Sequence, residues 1–146
     1  MIRLVIIFFL ITTLLACTGK SKQENLSHSD AVKLEQYLVE GEKLYTTYCA
    51  NCHQANGEGL ANLFPPLKDS DYMEENFEKV LCSMKYGLQG EIVVNGKTYN
   101  QAMPGIPTLT PLEIAEIATY IYNTWGDKRG IIPVKNVENK LKNCKK

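Results

Sequence analysis

Cys49-Ala50-Asn51-Cys52-His53 constrains this chain more than any other stretch of it. Residues three and four apart share one face of a helical turn, so Cys49, Cys52 and His53 project together. A C-x-x-C-H run of this kind reads as a site for covalent attachment of haem c. The two thiols reach the vinyl groups along one porphyrin edge. His53 is left beneath the iron, where a neutral imidazole nitrogen is a good ligand. The chain then folds around one covalent haem c, and the cofactor carries the chemistry.

Two other uses of a C-x-x-C pair fit less well. A zinc site needs further Cys or His ligands at motif spacing, and His28, Cys82 and Cys144 are scattered singly. A thioredoxin-like redox pair sits in a βαβ pattern, and no such pattern surrounds residue 49.

The N-terminus sets the compartment. Residues 1–16 carry Arg3, then an apolar stretch from Leu4 to Leu15 interrupted only by Thr12 and Thr13. This is a secretory signal layout, too short for a comfortable transmembrane span. Leu14-Leu15-Ala16-Cys17 resembles the bacterial lipobox, in which the cysteine is lipidated and becomes the first mature residue. The other reading is an uncleaved N-terminal anchor with Cys17 incidental. Either way the domain is expected to be exported and tethered to a bacterial membrane on its periplasmic or extracytoplasmic face.

Residues 17–29 are polar and aperiodic and read as a flexible tether. Residues 30–126 form the haem domain. Residues 127–146 carry seven basic side chains and read as an extended basic tail draped on it, with room for a short helix at Val137 to Asn143. The whole chain balances 16 basic against 16 acidic residues, so no global field draws it to nucleic acid or an acidic substrate. Partner docking has to use a local patch.

Three helices are expected within the domain. The first runs from Ser29 or Asp30 to about Cys49, with Ala31, Leu34, Leu38, Gly41, Leu44, Tyr45 and Tyr48 at helical spacing. It delivers the haem cysteines at its C-terminal end. The second spans Asp71 to Tyr86, with Ser70 or Asp71 as N-cap, and Gly87 stops it. The third opens on Thr110-Pro111-Leu112-Glu113, a capping box with proline at the first helical position, and closes at Gly126. Between the last two, Glu91 to Asn100 places β-branched residues on both sides of Asn95-Gly96, a strong hairpin signal.

A six-coordinate iron needs one more donor, and the candidates are Met73, Met84, Met103 and His28. Met103 lies in Ala102-Met103-Pro104-Gly105-Ile106-Pro107, where two prolines restrict the backbone and hold a thioether in place. Met73 and Met84 sit on a helix at positions that pack a core, and His28 lies in the tether.

Together these pieces resemble the class I c-type cytochromes over about Glu40 to Gly126. The matching parts are GEKLYTTYCANCH, Gly57-Glu58-Gly59, Phe64-Pro65-Pro66-Leu67, the Met-Pro-Gly loop at Met103 and the final aromatic helix. The resemblance implies a mainly α cytochrome c fold: three main helices around one haem, with a small β-hairpin insert before the Met loop. It implies that the first and last helices cross through Gly41 and Tyr45 against Ile117 and Tyr120. It further implies a proline whose carbonyl accepts a hydrogen bond from the proximal imidazole, Pro65 or its neighbour Pro66. Tyr99 and Trp125 are either haem-propionate contacts or ordinary packing. Cys82 and Cys144 are either a disulfide or two separate thiols.

The function that follows is one-electron transfer without catalysis, using a His53/Met103 haem. The donor would be a dehydrogenase or a quinol-oxidising complex, and the acceptor a reductase or oxidase. The alternatives are a non-catalytic subunit of a larger oxidoreductase, an open-site haem enzyme such as a peroxidase, and a haem-based sensor. If Cys17 carries the lipid, Cys17→Ser is expected to move the protein from the membrane fraction to the soluble fraction. Retention in membranes after fractionation would point to an uncleaved N-terminal helix.

Overall fold

A computed structural model describes residues 27–144. Cys17, the signal segment and most of the expected tether lie outside the described residues. Among the described residues no helix is long and apolar enough to cross a membrane.

Helix α1 spans His28–Tyr48, starting slightly earlier than the sequence pattern suggests because Ser27 takes the N-cap and its hydroxyl accepts the amide of Asp30. Its buried residues are Tyr37, Gly41 and Tyr45, one per turn, so a narrow stripe faces inward, flanked by the half-buried Leu34, Leu38 and Leu44. Helix α2, Ala50–His53, is a single turn that carries the cysteine motif.

The expected second helix is broken into α3, Asp71–Glu75, and α4, Phe77–Tyr86. The break is at Asn76, whose φ of −121° and ψ of 39° are not helical. Its side-chain amide donates to the carbonyl of Tyr72 at 3.1 Å. Asparagine competes for helical backbone acceptors in this way. Ser70, not Asp71, is the N-cap of α3, accepting the amide of Met73 at 3.2 Å.

Strands β1, Ile92–Val94, and β2, Lys97–Tyr99, pair antiparallel with Ile92 opposite Tyr99 and Val94 opposite Lys97. Asn95 and Gly96 both have positive φ, 51° and 74°, as a two-residue hairpin turn requires.

Helix α5, Pro111–Trp125, has the full capping box. The hydroxyl of Thr110 accepts the Glu113 amide at 3.3 Å, and the Thr110 amide donates to Glu113 Oε2 at 2.7 Å. Those bonds also hold the Glu113 carboxyl below its ordinary range. Ile114, Ala115, Ile117, Ala118, Thr119, Ile121 and Tyr122 are all buried, more than one face can account for. The reason is that α5 packs against α1 on one side and against the chain's C-terminal segment on another.

That C-terminal segment is not the extended tail its composition suggests. Helix α6, Val134–Lys142, docks on α4 and α5, burying Val137 completely and leaving Ile132 only 3 % exposed. Val134, Val137 and Leu141 recur at three- and four-residue steps, which gives an apolar seam to an otherwise basic helix. The approach is fixed by polar contacts. The buried Thr119 hydroxyl accepts the Ile132 amide at 3.0 Å, and Asn123 both donates to the Gly130 carbonyl and accepts its amide. Arg129 lies 4.8 Å from the Phe77 ring centre and 4.4 Å from that of Tyr122, held by Asp127.

Cys82 and Cys144 form a disulfide across this interface, with Cα atoms 5.7 Å apart. Closing a 62-residue separation removes chain entropy from the unfolded state, worth about 4 kcal/mol.

Helices α1 and α5 cross at Gly41. A β-carbon built there would overlap the carbonyl oxygen of Glu116 and lie 2.7 Å from the Tyr120 β-carbon. Backbone is on the far side of the contact, so the helices themselves would have to separate. Gly41→Ala gains about 1 kcal/mol of helix propensity but loses more to overpacking, roughly 1–3 kcal/mol or above. The expected net result is a lower midpoint of thermal unfolding. An unchanged or raised midpoint would contradict the close crossing.

Candidate haem site

The turn that carries the motif is fixed at both ends. The amides of Cys52 and His53 donate to the Cys49 carbonyl at 3.1 and 3.0 Å, so the three side chains sit on one helical turn. Gln54 then takes φ of 63° and ends it. The Gln54 carbonyl accepts the Tyr45 hydroxyl at 2.6 Å, which ties the end of the motif back to α1. Burial pushes the Tyr45 hydroxyl pKa upward, so it stays a donor.

The next loop closes on the motif. The amides of Leu67 and Lys68 both donate to the Gly57 carbonyl, at 2.8 and 3.0 Å, and the Gly59 amide donates to the His53 carbonyl at 3.0 Å. Gly57 has φ of 72°, and a β-carbon there would lie 2.8 Å from the Trp125 ring. Trp125 also meets Tyr45 and Tyr120 at ring-centre distances of 5.0 and 5.4 Å. Its environment is packing at the helix crossing, and it does not line the cavity described below.

This closure brings the carbonyl of Pro65 to 2.9 Å from His53 Nδ1. A carbonyl only accepts, so Nδ1 carries the proton and Nε2 keeps a free lone pair. Burial lowers the His53 pKa, opposed by the bond to Pro65, so the ring is neutral. Burial, reinforced by the neighbouring Cys52, pushes the Cys49 thiol up to about 12. Redox-active C-x-x-C cysteines need stabilised thiolates, the reverse of this environment at Cys49. Neither motif cysteine is in a disulfide.

Cys49, Cys52 and His53 line an apolar cavity with about 920 Å³ of empty space, solvent at its mouth included. Phe64, Pro65, Pro66 and Leu67 continue the wall from the motif side. Met73, Val80, Met84 and Leu88 come from α3, α4 and the chain after it; Ile92, Val94 and Tyr99 from the hairpin; and Ile117 and Ile121 from α5. Ile106 and Leu109 follow Met103 in the same loop but do not line the cavity. They pack into the core, with Leu109 only 1 % exposed.

Met103 reaches the cavity from a loop whose backbone is paired to the end of α4. The Met103 amide donates to the Leu88 carbonyl and the Leu88 amide to the Met103 carbonyl, each at 2.9 Å. A β-carbon at Gly87 would lie 2.6 Å from the Met103 carbonyl oxygen, and one at Gly105 would lie 2.5 Å from the Gly87 nitrogen. Met73 and Met84 also line the cavity, but as core residues 2 % and 5 % exposed. His28 heads α1 and does not line the cavity.

The sequence pattern did not reveal how the hairpin is held over this cavity. The Asp71 amide donates to Asn95 Oδ1 at 3.0 Å and the Asn95 amide donates to Asp71 Oδ1 at 2.7 Å. Each residue carries an ordinary local signal, helix start and hairpin turn, and nothing in either signal pairs them across 24 residues.

Comparison with known proteins decides the family. Residues 38–125 match the Cytochrome c family. The chain belongs to the cytochrome c family. It is 37 % identical over 97 residues to cytochrome c-552 of Thermus thermophilus, a match covering 64 % of this chain and 73 % of that protein. It is also similar to the cytochrome c subunit of a quinone alcohol dehydrogenase from Gluconacetobacter polyoxogenes, at 32 % identity over 93 residues. That match covers 62 % of this chain but only 19 % of the subunit. Membership makes the chain an electron carrier with one covalent haem c, and the residues present fit that group. They provide two thiols on one helical turn, an imidazole whose Nδ1 is bonded to Pro65 and whose Nε2 is free, a loop-borne thioether and an apolar cleft.

Proposed function

We propose that this cytochrome c is an exported one-electron carrier held to a bacterial membrane by lipid on Cys17, with Cys49 and Cys52 bonded to the haem and His53 and Met103 as axial ligands. The observation that carries the ligand assignment is the hydrogen bond from His53 Nδ1 to the Pro65 carbonyl, in a cavity that Met103 also lines.

The bound haem supplies the one-electron Fe(III)/Fe(II) couple. The chain's residues set its direction and ease. Pro65 fixes the imidazole plane and raises the basicity of Nε2. A thioether from Met103 favours the ferrous state and raises the potential. The apolar wall disfavours the more highly charged ferric state and acts in the same sense. Because both ligands are tied by backbone bonds, neither has to move when the electron does. Tyr99, 4 % exposed and lining the cavity, is the residue suited to a propionate contact. Cys49 and Cys52 are only half-buried, which keeps that porphyrin edge near the surface as the exit for electrons.

The Cys82–Cys144 disulfide supports export, since such bonds persist in oxidising compartments. Similarity to a subunit of a quinone alcohol dehydrogenase favours a dehydrogenase as electron donor and keeps the second reading, a non-catalytic oxidoreductase subunit, in view.

Met103→Ala tests the axial assignment. The haem is expected to stay covalently attached, the midpoint potential to fall, the weak long-wavelength band of a thioether–Fe(III) bond to vanish, and added imidazole or cyanide to bind the ferric iron. Met84→Leu, a volume-conserving change costing less than about 1.5 kcal/mol, is expected to leave the spectrum intact. The opposite pattern would move the ligand to Met84.

A further inference from the structure

We propose that Lys85 is a positioning residue whose ammonium group clamps the Met103 loop to the end of helix α4 and so holds the iron's sixth position closed; this rests on Met103 being the ligand.

The clamp is visible as two short bonds. Lys85 Nζ donates to the Pro107 carbonyl and to the Leu109 carbonyl, each at 2.6 Å. Such charge-assisted bonds are about twice as strong as neutral ones. Among the described residues they are the only side-chain hydrogen bonds made to residues 103–109. The loop needs an outside donor because Pro104 and Pro107 have no amide hydrogens to tie it down.

The rest of the loop's attachment lies on the same stretch of chain. Met103 pairs with Leu88, and the Ile106 amide donates to the Met84 carbonyl at 2.9 Å. Backbone bonds thus secure the loop at Met103 and Ile106. From Pro107 to Leu109 the only remaining backbone bond is internal, from Leu109 to Ile106 at 3.1 Å. Lys85 covers that leg.

Lys85 is well placed for this alone. It stands in the last turn of α4, where exposed carbonyl dipoles favour a cation. The nearby Glu113 carboxylate is already engaged by the amide and hydroxyl of Thr110. The side chain therefore joins the end of α4 to the segment just before α5, and the ligand loop lies between.

For the thioether to leave the iron, the loop has to lift. An outside ligand then binds with an apparent affinity proportional to the fraction of molecules with the loop open. Removing two charge-assisted bonds from a half-buried site is expected to raise that fraction about tenfold.

The test uses the haem-loaded protein in the ferric state, with imidazole as probe, and compares wild type, Lys85→Met, Lys85→Gln, Lys79→Met and Met103→Ala. Lys79 is exposed on the same helix and makes none of these bonds, so its variant removes an equal charge without touching the clamp. Lys85→Met is expected to bind imidazole about tenfold more tightly, and its limiting rate at saturating imidazole, which reports loop opening, rises with it. Lys85→Gln moves the same way by less, and Lys79→Met matches wild type. Wild-type behaviour in both Lys85 variants overturns the clamp, as does an equal shift in Lys79→Met, which would make the effect one of charge alone. A wild type that lacks the thioether band and binds imidazole like Met103→Ala overturns the ligand assignment and the clamp with it.

Discussion

Helices α1 and α5 cross where they do because residue 41 has no side chain. The position of everything at the haem site follows from that contact. It brings Tyr45 under Tyr120 and Trp125, and Tyr45 in turn holds the end of the cysteine turn through Gln54. Trp125, fixed at the same crossing, covers Gly57. Gly57 anchors the return of the loop that carries Pro65 to His53. A single close approach of two backbones is thus transmitted, through aromatic packing and a few backbone bonds, to the orientation of one imidazole.

The other wall of the cavity is built by different means. The Met103 loop has no regular structure of its own and two prolines, so its position is borrowed from the end of α4. Helix α4 is itself fixed from behind by α6 and the Cys82–Cys144 bridge. The C-terminal segment therefore supports the haem site without touching it. The hairpin, pinned by Asp71 and Asn95, completes the enclosure.

The features legible in the sequence were those with a local physical cause. The cysteine turn, the Thr110–Glu113 capping box and the Asn95-Gly96 turn each specify their own backbone within four or five residues. Gly41 could be placed only through a family resemblance, since nothing nearby in sequence shows what its missing β-carbon makes room for. The break at Asn76 was hidden because an apolar stripe runs through it, and the side-chain amide overrides that periodicity. Helix α6 was obscured by its lysines, which lie outside its Val134, Val137 and Leu141 seam. The Cys82–Cys144 pairing depends on that docking and could not be read without it. Likewise Met73 and Met84 read as core residues, which they are, yet they also line the cavity, because core and haem wall are continuous here.

A spectroelectrochemical titration of the intact protein tests the central claim most directly, since it reads the redox couple and the iron's ligands together. The account predicts one reversible one-electron transition, with the thioether band present throughout the ferric limb and the iron low-spin in both states. A high-spin ferric form, or a change of ligand between the oxidised and reduced limbs, would contradict it.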